Sequence, residues 1–107
     1  MTNLGQMMKQ AQEMQAKMAE LQARMEDVEL TGTSGAGLVS ITLNGKGEVR
    51  RVSIDPSLAK ADEVGVLEDL IAAAANDARV KVEARMQEET QKLMGGLGLP
   101  PGFKLPF

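Results

Sequence analysis

Between Leu4 and Val28 an apolar residue returns every three or four positions. Leu4, Met7, Ala11, Met14, Met18, Leu21, Met25 and Val28 fill every a and d position of a heptad frame. Residues at that spacing share one side of an α-helix, so the pattern predicts a single helix about 37 Å long. Its apolar seam is narrow, the mark of a helix that packs on another helix rather than into a broad core. Glu13 precedes Lys17, and Glu20 precedes Arg24, by four residues with the acid first, which supports the helix on its solvated side. Met1, Met7, Met8, Met14, Met18 and Met25 make it methionine-rich, which suits adaptable packing in a helix pair or at a partner surface. Glu26 and Asp27 oppose the helix macrodipole and mark its C-terminal end. Residues 1–3 are expected to fray.

The pattern then changes period. Residues 28–33 (VELTGT) alternate and read as a strand. Residues 34–37 (SGAG) are a turn, and residues 38–43 (LVSITL) form the clearest strand. Asn44-Gly45-Lys46-Gly47 is a hairpin signal, because Asn and Gly accept the positive φ that tight hairpins demand. Residues 48–54 (EVRRVSI) return as a third strand. Two registers are open: a three-residue loop pairs Ile41 with Val49, and a four-residue loop pairs Val39 with Val52. Neither collects every apolar side chain on one face. A β-bulge, or a sheet covered on both faces by helices or a second subunit, would reconcile them.

Asp55-Pro56 caps a short turn through Leu58. A second long helix is expected from about Asp62 to Met94, with Leu67, Leu70, Ile71, Ala74, Ala78, Val82 and Met86 on its apolar face. Ala72 to Ala75 is a small-residue patch that lets a strand or another helix come close. Gly65 could delay the start of this helix, and Gly95-Gly96 ends it. Residues 1–95 thus read as one α+β domain: a long N-terminal helix, a three-stranded antiparallel sheet and a long second helix. Residues 96–107 read as a flexible Gly/Pro tail carrying both phenylalanines, one of which could dock on the body.

What is missing narrows the function. The 107 residues contain no Cys, His, Tyr or Trp. That removes the commonest general base and metal ligand and any disulfide framework, so no enzyme, cofactor or metal is expected. Glu68-Asp69 and Glu88-Glu89 are neighbours on helices, so their side chains diverge and read as solvated. The segment Gly32 to Gly37 (GTSGAG) resembles a phosphate loop only superficially. Leu38 and Val39 replace the required Lys-Ser/Thr, and a strand follows where a helix should. No apolar run is long enough for a membrane span and the N-terminus lacks signal-peptide character, so a cytosolic protein without membrane contact is expected.

Twelve basic against fifteen acidic residues give a net charge of −3. Taken alone this argues against a nonspecific nucleic-acid binder. The cations are unevenly spread, however. Arg79, Lys81 and Arg85 lie close together on the second helix, and Lys81, Arg85 and Lys92 share a face. Lys9, Lys17 and Arg24 lie on the first helix, Arg50 and Arg51 on the third strand, and Lys46 at the hairpin tip. The acids crowd at 26–29 and 62–69. A local basic surface on an acidic protein can still contact phosphates, with marked salt sensitivity.

Three motifs in order make the chain recognisable. They are Asn44-Gly45-x-Gly-Glu-Val…Ile54-Asp55-Pro56; Leu67-Glu68-Asp69-Leu70-Ile71-x-Ala-Ala-x-Asn76-Asp77-Ala78; and Gly95-Gly96-Leu97…Leu99-Pro100-Pro101-Gly102…Lys104-Leu105-Pro106-Phe107. Together with the Met/Gln-rich first helix, this resembles the YbaB/EbfC family of bacterial nucleoid-associated proteins over almost the whole chain. Residues 61–66 depart from the acidic stretch associated with the family. The resemblance implies a small homodimer with helices projecting from a shared sheet, binding double-stranded DNA at the nucleoid in the bacterial cytoplasm with little sequence specificity. The motif positions look structural. Lys9, Lys17, Arg24, Arg79, Lys81, Arg85 and Lys92 are candidate DNA contacts by charge and position on the helical arms. The rival reading is a protein-interaction module whose Met-rich seam and Pro/Gly tail recruit a partner from the recombination or replication machinery. Its signature would be Met14, Met18 and Met25 exposed as one apolar patch.

Overall fold

The structure, a computed structural model, describes residues 3–96. Helix α1 (Leu4–Asp27) leads into strands β1 (Glu29–Ser34), β2 (Val39–Asn44) and β3 (Val49–Ile54), and helix α2 (Val64–Gly96) closes the order. The sheet runs β1-β2-β3, antiparallel throughout. This is the α+β architecture expected. The chain is elongated, 71 × 23 × 17 Å. Only Leu21 and Met25 of α1 are buried, so that helix meets the body at its C-terminal end and projects from it. Asn3, expected to fray, instead caps α1 by accepting a hydrogen bond from the Gly5 amide at 2.9 Å. Of the expected Gly/Pro tail, Gly96 is the last residue of α2, and residues 97–107 lie outside the described residues.

The register follows neither simple hairpin. Val39 faces Ile54, Ile41 faces Val52 and Leu43 faces Val49, with a shift between Thr42 and Leu43 that leaves Arg50 unpaired. The bulge is one of the two solutions that the sequence left open. Without it a period-2 strand cannot place Val49, Val52 and Ile54 on one side. With it, all three share the face of Val39, Ile41 and Leu43.

α2 crosses that face over β1 and β2. The core is Val39, Ile41, Leu43, Leu58, Ala74 and Ala78, with Leu67, Leu70, Ile71, Ala75 and Val82 packed at its margin. Burying each larger aliphatic side chain contributes about 1.5–3 kcal/mol. Leu58 reaches the core because Asp55 and Pro56 turn the chain: the Asp55 carboxylate accepts from the Ser57 amide at 2.9 Å, opening a 3₁₀ turn over Pro56–Leu58. A further 3₁₀ turn, Ala61–Glu63, precedes α2, and Gly65 lies within the helix's first turn rather than delaying it. Such shifts of a residue or two at a helix end are ordinary.

The alanine patch has its partner in Gly32. A Cβ built on Gly32 would overlap the Ala74 carbonyl and the Ala78 amide, so β1 rests directly on the α2 backbone. Ser34 adds to this seat by donating its hydroxyl to the Leu70 carbonyl. The hairpin turn is organised by Asn44, which is fully buried. Its side-chain oxygen accepts from the Lys46 and Glu48 amides at 3.0 and 2.9 Å, and its amide group donates to Glu48 Oε1 at 2.8 Å. Positive φ falls on Gly47 at +86°.

Candidate nucleic-acid interface

Three of the seven candidate cations meet at one carboxylate. Glu89 is buried, and Arg85 Nε donates to its Oε1 at 3.0 Å. Arg24 Nη1 reaches the other oxygen at 3.6 Å from α1, and Lys92 Nζ lies 4.0 Å away while pairing with Glu88 at 3.3 Å. The Arg85 hydrogen bond, and then the charges of Lys92, Arg24 and Arg85, hold the Glu89 carboxyl below its ordinary range against the opposing effect of burial. The side chains of Arg24 and Lys92 remain more than half exposed. The junction of α1 and α2 therefore presents a cationic surface anchored from beneath by an acid. Read as a sequence, Glu88-Glu89 suggested two solvated neighbours. The spacing Arg85-x₃-Glu89-x₂-Lys92 was the signal that one of them is shared.

Lys81 has a different setting. Its Nζ donates to the Thr31 carbonyl at 2.9 Å and pairs with Asp77 at 3.1 Å. Asp77 accepts from the Thr33 amide at 3.0 Å, and this bond, with Lys81, lowers its carboxyl pKa. The pair satisfies the outward-facing backbone of β1 and closes that sheet edge. Arg79 pairs with Glu83 one turn away at 3.2 Å. Lys9 and Lys17 lie on exposed positions of α1 with no ion-pair partner among the described residues. The seven cations thus fall into separate places: three at the helix junction, two along the projecting arm, one on the flank of α2 and one at the β1 edge.

Other basic residues act locally. Arg50, released by the bulge, donates to the Glu26 carbonyl at 3.3 Å and so neutralises the C-terminal end of α1. Lys46 pairs with Glu26 at 3.5 Å, and Arg51 forms a two-pronged bridge to Glu29 at 3.1 and 3.2 Å.

Two apolar surfaces are uncovered in the single chain. Val49, Val52 and Ile54 are 61%, 53% and 37% exposed although they share the core face, because α2 does not extend over β3. Beside them, an open groove of about 650 Å³ runs between the hairpin and α2, with Leu43, Ala75, Val82 and Met86 in its wall and Lys46 and Arg79 on its rim. On α1 the seam is buried at Leu21 and Met25 and half-buried at Met14 and Met18. It is open at Leu4 and Met7. No group of three or more acidic residues suited to a metal ion occurs among the described residues, and no described helix is long and apolar enough to cross a membrane.

Comparison with known proteins places this geometry. Residues 1–97 match the model of the YbaB/EbfC DNA-binding family. The chain is 64% identical to a nucleoid-associated protein of Paramagnetospirillum magneticum, 63% to one of Rhodospirillum centenum and 59% to one of Granulibacter bethesdensis, in each case over 107 residues and all of both chains. Among solved structures it resembles the crystal structure of an uncharacterized protein, HP0035, from Helicobacter pylori. The TM-score is 0.77 at 26% identity, covering 88% of this chain and 99% of that one.

Proposed function

We propose, because this chain belongs to the YbaB/EbfC DNA-binding family, that it works as a nucleoid-associated homodimer gripping double-stranded DNA by cations on its helical arms. The observation that carries the reading is the cluster of Arg24, Arg85 and Lys92 on Glu89. It concentrates positive charge on an otherwise acidic chain, at the root of a projecting helix. Lys9 and Lys17 continue this surface outward along α1, and Arg79 adds to it on α2. Phosphates are the matching ligand: they are regularly spaced, negatively charged and present on every sequence, so binding of this kind has little base readout. Lys81 belongs to the candidate set by charge, while its bond to Thr31 gives it a structural task as well. The chemistry is binding and not catalysis, and the site of action is the bacterial nucleoid, in the cytoplasm.

The dimer rests on the uncovered face. Val49, Val52 and Ile54 form a contiguous apolar strip beside an apolar groove, and a second copy related by two-fold symmetry covers both. Two-fold symmetry doubles each cation set, giving two arms for one duplex. The rival reading, recruitment of a protein of the recombination or replication machinery, required Met14, Met18 and Met25 to stand exposed together. Met25 is buried and Met14 and Met18 are half-buried, so in the single chain the open part of the seam is confined to its outer end.

The test is fluorescence anisotropy of a labelled duplex titrated with the protein from low to physiological salt. Three to five phosphate contacts per protomer predict a loss of about 10³-fold or more in affinity between 50 and 200 mM salt, alike for unrelated sequences. Absence of binding at low salt overturns the reading.

A further inference from the structure

We propose that Glu89 is a positioning residue: it gathers Arg24, Arg85 and Lys92 into one phosphate-binding site that spans α1 and α2, and occupancy of that site by a DNA phosphate locks α1 against α2. This rests on the DNA-binding reading above and adds to it a residue of the opposite charge and a coupling between binding and arm geometry.

Four observations converge. Glu89 is buried, so its charge is satisfied by protein groups and not by solvent. Its neighbours are three cations, one of them through a hydrogen bond, and they come from two different helices. The Arg24–Glu89 contact is the one ion pair among the described residues that joins α1 to α2. Finally, α1 has little else to hold it to the body: only Leu21 and Met25, near one end of a 24-residue helix, are buried, and Met25 rests on Gly45 of the hairpin.

The physical consequence follows from counting charges. Three cations share one buried carboxylate, and Lys92 also touches Glu88, so the cluster keeps a net positive charge on its exposed side. Without the acid, three like charges this close repel one another and their long side chains spread into solvent. With it, they are held together before any ligand arrives, which lowers the entropy lost on binding. A phosphate that touches Arg24 as well as Arg85 or Lys92 bridges the two helices, so binding and docking of α1 must favour each other equally.

Simple charge bookkeeping predicts the opposite outcome for one substitution, which makes the idea testable. Removing an acid from a DNA-binding surface should tighten binding to phosphates. Positioning predicts that Glu89→Gln weakens duplex binding about five-fold or more, whereas Glu88→Gln, its exposed neighbour, tightens it about two-fold. The readouts are anisotropy with a labelled duplex and hydrogen exchange of α1 amides over residues 16–27, on the full chain, with and without DNA. The expected result is DNA-induced slowing of exchange in the unsubstituted protein and its loss in Glu89→Gln. Should Glu89→Gln fail to fold by circular dichroism, Arg24→Gln takes its place, since it leaves the Arg85–Glu89 pair intact. It should lose the DNA-induced slowing and flatten the salt slope by about one phosphate contact per protomer. Equal or tighter binding by Glu89→Gln, or α1 slowing that survives in Arg24→Gln, overturns the inference and leaves the DNA-binding reading standing. No duplex binding by the unsubstituted protein removes both.

Discussion

The backbone of Gly45 sits directly against Met25: its N–H donates to the Met25 carbonyl at 2.7 Å, and a Cβ at Gly45 would stand 2.5 Å from that same oxygen and 2.6 Å from Met25 Cε. The glycine of the hairpin is thus the seat on which the projecting helix is planted. Gly45→Ala has nowhere to put its methyl without moving α1. The expected cost is about 2–3 kcal/mol by chemical denaturation, with faster hydrogen exchange in α1 than in the sheet. Unchanged stability would mean that α1 is not held at this point.

Ala36 adopts φ +56°, between Gly35 at +59° and Gly37 at +92°. A side chain in this left-handed conformation costs about 1 kcal/mol relative to glycine. Ala36→Gly should therefore stabilise the protein by about 0.5–1 kcal/mol, measured as an increased denaturation midpoint with an unchanged slope. It should leave DNA binding untouched.

Lys81 closes the β1 edge through Thr31 and Asp77. Lys81→Glu would place two acids one turn apart and uncover a row of backbone groups. A lower melting temperature and concentration-dependent light scattering are expected, whatever happens to DNA affinity. Lys81→Gln, which keeps a donor, should be milder. If Lys81→Glu melts like the parent, the edge is not protected in this way.

Val52 is half-exposed on an apolar strip that a second copy is proposed to cover. Val52→Glu should leave a folded chain, since the side chain is outside the core, but shift it to monomer by sedimentation equilibrium. DNA affinity should fall with it, because one arm replaces two. A dimer that survives places the interface elsewhere.

Asp77 and Glu89 have carboxyl pKa values below their ordinary 3.8 and 4.5, Asp77 through the Thr33 amide and then Lys81, Glu89 through Arg85. A folded-state pKa below the unfolded one means the unfolded chain takes up protons first as pH falls. The stabilisation is fully present above about pH 5 and is lost progressively as pH falls through the ordinary values toward the lowered ones. Thermal unfolding should show a plateau near neutrality and a decline in that acidic window. Asp77→Asn should make the decline shallower. An unchanged decline in that variant would mean the acid sensitivity comes from other carboxylates.

Much of the fold could be read from local pattern. The heptads of α1, the apolar face of α2 and the Asp55-Pro56 turn each depend on residues within a few positions, where helical period and capping chemistry act directly. The sheet was harder, because its two candidate registers differ by a single residue. The chain adopts neither: Ile41 pairs with Val52 and Val39 with Ile54, and a bulge displaces Arg50, which bonds to the end of α1. For the candidate interface, the cations themselves were visible by charge and helical position. What they do there was not, since Arg24 and Glu89 are 65 positions apart in the chain and meet only when two helices dock.

The sequence by itself determined the order and type of the elements, the family to which they belong and the identity of the charged residues. These follow from short-range periodicity and from motifs written along the chain. Tertiary structure alone decided which glycines are points of contact and which are turns, which lysine guards a sheet edge, and which glutamate is buried beneath three cations. Gly32 meets Ala78, Gly45 meets Met25 and Lys81 meets Thr31 across long separations. The physical reason is that burial and proximity are properties of packed elements, and no propensity acting over three or four residues carries information about what will lie on the other side.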